Sequence, residues 1–116
     1  MIEKLLANGK LLITEEVLAL ITLLTIDETE GIAKTVSGVK NEIFNVLSSK
    51  FTRKGVTIEN SEGGVSIEIR ISLYYGNNII ETCKKLQESV VREIEAMTGV
   101  VVKDINIKVE QIIKAS

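Results

Sequence analysis

Residues able to act as nucleophiles, bases or metal ligands are few in this chain and poorly spaced for the purpose. It has no histidine and one cysteine, Cys83. Ser-His-Asp and Cys-His arrangements are thereby excluded, as are histidine metal sites. Cys83 falls in an apolar seam with Ile79/Ile80, Leu86, Val90, Ile94 and Met97, at spacings of three and four. A thiol in such a seam packs as a small hydrophobe and is inert as a nucleophile. The pairs Glu15/Glu16 and Glu28/Glu30 read as solvated helix ends, not as acid–base couples. "EGG" at Glu62 to Gly64 lacks the strand–loop–helix setting and following Lys-Ser/Thr of a phosphate-binding loop, so it is turn chemistry. "SSKFTRKG" gathers Lys50, Arg53 and Lys54 around Phe51. As a basic loop, these three cations are the candidate contact for a polyanion, either nucleic acid or lipid headgroups. A KH-type module would also need a GxxG loop between helices, which is absent.

Composition narrows the classes further. A chain of 116 residues, 45% hydrophobic and 26% charged, has enough apolar content to fold. At that length a domain buries roughly two-thirds of its unfolded surface, so we expect one domain over residues 1–116 with its core in 9–113. With two Tyr, two Phe and no Trp, the packing must be aliphatic. The net charge of −2 gives no global attraction to nucleic acid or anionic lipid. A lone cysteine permits no internal disulfide and fits a reducing compartment. No signal peptide is evident. "VLALITLLTI" (Val17 to Ile26) is about 10 residues against the roughly 20 that cross a bilayer, so we expect a buried helix and a cytoplasmic chain.

The elements follow from periodicity. "GKLLI" (Gly9 to Ile13) is a short strand candidate, and Thr14 can cap the helix after it, with Glu15 and Glu16 at the positive end of its dipole. Val17, Leu18, Leu20, Ile21 and Leu24 predict that this helix is heavily buried. "GIAKTVSG" (Gly31 to Gly38) is ambiguous, with a short strand as one reading. "VKNEIFNVLSSKF" predicts a second helix with Ile43, Val46 and Leu47 on one face. "GVTIEN" (Gly55 to Asn60) and "VSIEIRISLYY" (Val65 to Tyr75) alternate with period two and are joined by "SEGG", which predicts a hairpin. Gly76 breaks the strand, Asn77 or Asn78 caps a helix carrying the Cys83 seam, and Gly99 suits its left-handed C-terminal cap. A last alternating strand holds Ile105, Ile107 and Val109. Strand, helix and strand make a β-α-β crossover with parallel strands. The predicted fold is α+β: a small mixed sheet with helices on one face.

"GKLLITEEVLALITLLTIDETEGI", "TRKGVTIE" and "GVSIEIRISLYYGNNIIETCKKLQESVVREIEAMTGVVVKDINIKV" together resemble the alkaline-shock-protein, or Gls-type envelope-stress-response, family of Gram-positive bacteria. The most specific pieces are "YYGNNI", "LQESV" (Leu86 to Val90) and "MTG" before the last strand. Family members usually carry proline just after the "YG-N-I" turn, where this chain has Ile80. The resemblance implies a non-catalytic cytoplasmic protein with no cofactor, which self-associates and is held beneath the membrane by a small integral-membrane partner. Open sheet edges, with no proline to blunt them, independently suggest a homo-oligomer. The competing expectation is a nucleic-acid-binding module using Lys50, Arg53 and Lys54.

Overall fold

The alternating run in the middle of the chain forms the strand on which everything else is assembled. The computed structural model describes residues 1–36, 43–45 and 50–114. In chain order the elements are β1 (Ile2–Leu6), β2 (Gly9–Ile13), α1 (Glu15–Asp27), β3 (Ile32–Thr35), β4 (Ile43–Asn45), β5 (Lys50–Arg53), β6 (Val56–Ser61), β7 (Gly64–Tyr74), α2 (Ile79–Thr98) and β8 (Val102–Ile113). Along β7, Val65, Ile67, Ile69, Ile71 and Leu73 are completely or almost completely buried. Ser66, Glu68 and Arg70 look the other way and are half-buried. Period two has therefore placed one face of β7 on the core.

Both edges of β7 are used. One carries β8 in parallel, with Ile67 opposite Ile105 and Tyr74 opposite Ile113. The other is shared end to end by two antiparallel strands: β6 pairs with Gly64 to Ile69, and β3 pairs with Ile71 to Leu73. Beyond β6 the sheet continues through β5 to β4. The predicted hairpin is β6–β7, and the predicted crossover is β7–α2–β8 with parallel strands. β1 and β2 form a separate antiparallel ribbon. The fold is α+β, as the periodicities predict.

The helices begin where their caps dictate. Asn78 Oδ1 accepts from the Glu81 amide at 2.9 Å, and Gly99 ends α2 in the left-handed conformation (φ 71°). Thr14 caps α1, its side chain accepting from the Val17 amide. Both helices lie on one face of the sheet: α1 against β3, β5 and β6, α2 against β8, and each against the other. Leu86, Val90 and Ile94 form the buried stripe of α2. Threonine enters the core of α1 because each hydroxyl donates back along the helix, Thr22 to the Leu18 carbonyl and Thr25 to that of Ile21, both at 2.8 Å.

Three expectations are corrected. The helix predicted through Ile43 is strand β4 over Ile43–Asn45, paired with β5 in a register that sets Phe44 opposite Phe51 along the backbone; Val46 and Leu47 lie outside the described residues. Three apolar positions fit a short strand as well as a helix turn, and pairing with the strand that follows decides between them. The buried α2 seam is shorter than predicted, because Ile79, Ile80 and Met97 are exposed at the two ends of the helix. The helix α1 is buried on one side only. Leu18, Ala19, Ile21 and Ile26 enter the core, whereas Val17, Leu20 and Leu24 face solvent.

Candidate interaction surfaces

Two of the three candidate polyanion contacts lie on a strand and the third on a tight turn. Lys50 and Arg53 bound strand β5, and Lys54 starts the turn into β6 at φ 47°. Two of them already face carboxylates. The Arg53 guanidinium donates from Nη1 to Glu16 Oε1 at 3.1 Å, and Lys50 Nζ lies 3.9 Å from Glu59 Oε2. The fold places Lys50 and Arg53 at opposite ends of β5, each beside a carboxylate, and Lys54 in the turn that follows.

Cys83 is half-buried on α2. It lines a concavity of about 380 Å³ between α2 and β8, with Ile79, Ile80, Lys84, Gln87 and Ile107 around it. Burial pushes the Cys83 thiol up from its ordinary pKa, which disfavours the thiolate. Gln87 spans the same gap and donates to the Ile105 carbonyl at 2.9 Å.

The acidic pairs separate on inspection. Glu15 is buried and paired at 2.8 Å with the Met1 amino group, so it is not the solvated helix end that its position suggests. Glu28 and Glu30 border a polar hollow with Asn77, Lys85 and Glu88. Among the described residues no cluster of three or more His, Cys, Asp or Glu is placed to hold a metal ion. No helix among them is long and apolar enough to cross a membrane.

What the sequence does not reveal is how much aliphatic surface stays outside. Leu5, Leu6, Leu11 and Leu12 are exposed on the β1–β2 ribbon, and Val17, Leu20 and Leu24 on α1. The signal for α1 was available in principle, because its apolar residues surround the helix while a single sheet can cover only one side. The outer edge of β8 also has no partner strand among the described residues. The molecule thus concentrates contact surface, and its ionisable groups are dispersed.

Residues 3–114 match the family model of alkaline shock protein 23, described as having a cell envelope-related function. The chain is 24% identical over 107 residues to an uncharacterised protein, Spy1614, of Streptococcus pyogenes, covering 90% of this chain and 88% of that one. No solved structure matches.

Proposed function

Because the chain belongs to the alkaline shock protein 23 family, whose function is cell envelope-related, we propose that it is a non-catalytic scaffold of the envelope stress response. In this reading it is cytoplasmic, self-associates, and docks a small integral-membrane protein at the inner face of the membrane. The observation that carries the reading is the aliphatic surface left outside on α1 and the β1–β2 ribbon. Aliphatic side chains exposed together on one helix face and on one ribbon are the kind of surface that marks interaction sites. The runner-up, a nucleic-acid module, loses ground because Lys50 and Arg53 sit against Glu59 and Glu16.

Fractionation of producing cells after in vivo crosslinking tests the docking. The chain should sediment with the membrane, crosslinked to one small integral-membrane protein, and return to the soluble fraction when that protein is removed. A chain that stays soluble under envelope stress, with no membrane protein attached, would defeat the proposal.

A further inference from the structure

The β1–β2 ribbon is ordered without burying most of what it carries. Its root is fixed: the Met1 amino group binds Glu15, Lys4 Nζ donates to the Gly99 carbonyl at 2.8 Å, and Ile13 enters the core. Its outer part is not covered, Leu5 being 78% exposed and Leu12 54%. The register opposes Leu5 to Lys10 and Glu3 to Leu12, which puts Leu5, Leu12, Lys10 and Glu3 on one face. Leu6 and Leu11 occupy the other. A two-stranded ribbon is marginal in water by itself, and one with leucines on both faces gains stability only when something covers them.

The same molecule carries a complementary surface. Between the outer faces of α1 and α2 runs a groove of about 180 Å³ lined by Ile21, Leu24, Thr25, Glu28, Glu93 and Met97. It is smaller than the roughly 300–1,000 Å³ of small-molecule sites, so it suits side chains better than a ligand. Leu24 and Met97 are 62% and 69% exposed, which shows that the molecule's own ribbon does not fill it. The rim is acidic, through Glu28 and Glu93, and the ribbon supplies a cation between its leucines. Among the described residues Lys10 pairs with the solvent-exposed Glu3, at 3.6 Å, a weak pairing that is readily exchanged.

We propose that the ribbon of one copy docks in the α1–α2 groove of a second copy. Leu5 and Leu12 pack on Ile21, Leu24 and Met97, and Lys10 faces Glu28 and Glu93. Each copy offers one ribbon and one groove, so the contact is reciprocal in a two-fold dimer or propagates head to tail. This deepens the self-association part of the proposed function and rests on it.

Sedimentation of four samples at matched concentrations tests the contact: wild type, a ribbon variant (Leu5→Asp with Leu12→Asp), a groove variant (Leu24→Asp with Met97→Asp), and a mixture of the two variants. All four positions are exposed, so thermal melting should confirm folded chains. Each variant alone should associate about tenfold or more weakly than wild type, the loss expected for a central anchor. The mixture should recover a complex with one intact contact. Lys10→Glu should weaken association in the same way, and Glu93→Lys in the second copy should restore it, which keeps the test valid if the aspartates disturb folding. Association undiminished in both variants overturns the ribbon-in-groove contact and leaves self-association standing. A wild type that remains at 12.8 kDa at every concentration removes both, without touching the membrane-partner proposal.

Discussion

At the scale of single residues, burial decides which chemistry is open. Cys83 is held half-buried, and that burial raises its pKa. The folded chain therefore keeps its thiol proton to higher pH than the unfolded chain. Two consequences share this sign. Folding loses stability as pH rises past the unfolded thiol's pKa, because the unfolded chain releases its proton first. Labelling by a thiol reagent at neutral pH should be slower for the folded chain than in urea, with a pH midpoint above that of free cysteine. Fast labelling of the folded chain at neutral pH would restore Cys83 as a nucleophile. Ile94 shows the opposite limit, since it is fully buried among Leu86 and Val90. Ile94→Asp should abolish cooperative folding, because an unpaired carboxylate there costs several kcal/mol against a total stability of about 5–15. Ile94→Val should cost only about 0.5–1.5 kcal/mol and lower the melting temperature by a few degrees. Circular dichroism melts distinguish the two, and a well-folded Ile94→Asp chain would show that this face of α2 is not in the core.

The elements show which information is local. The β6–β7 hairpin, the helix caps at Thr14 and Asn78 and the left-handed Gly99 are legible in the sequence because each depends on residues a few positions apart. The strands β1, β4 and β5 are three to five residues long, too short for a periodicity to declare itself. They exist because the neighbouring strand in the chain satisfies their backbone groups, as when β5 pairs Lys50 with Glu59 and Arg53 with Val56 across a tight turn. For the same reason the basic segment reads as a loop in the sequence and is a strand in the fold. The outer face of α1 is legible only as an excess of apolar residues around the helix, because an apolar residue has the same pattern value whether or not a partner covers it. The end-to-end sharing of β7 by β3 and β6 makes Gly55 critical. Its φ is +83°, and a Cβ there would lie 2.6 Å from the Val36 carbonyl oxygen and 3.1 Å from that of Arg70. Gly63 has nearly the same φ, +87°, but open space around it. Both alanine variants incur the backbone strain, about 1–3 kcal/mol, and only Gly55→Ala also meets backbone atoms. Gly55→Ala should therefore lower the melting temperature clearly more than Gly63→Ala. Equal losses would show that β3 and β6 are not closely abutted.

For the whole molecule, order and exposure are unevenly divided. β7 has partners on both edges and five apolar side chains in the core, whereas among the described residues β1 and β2 pair as strands with each other alone. Two of the three cations that would serve a polyanion, Lys50 and Arg53, sit beside carboxylates within a chain of net charge −2. The shape of the molecule therefore favours a stable sheet that presents adaptable surfaces. Amide exchange reads this division directly, because openings range from nearly free local fraying to global unfolding. Amides of Ile67, Ile69 and Ile71 should exchange only when the whole domain unfolds. Those of Leu5, Leu11 and Leu12, bonded at most within a two-stranded ribbon, should exchange orders of magnitude faster in dilute solution. As protein concentration rises, the ribbon amides should slow while those of β7 remain unchanged, since docking covers the ribbon and leaves the global unfolding route to set the β7 rate. Ribbon exchange independent of concentration, in a chain that sedimentation shows to be associated, would place the contact on another surface. Fast exchange along β7 would go further and remove it as the strand that holds the fold together.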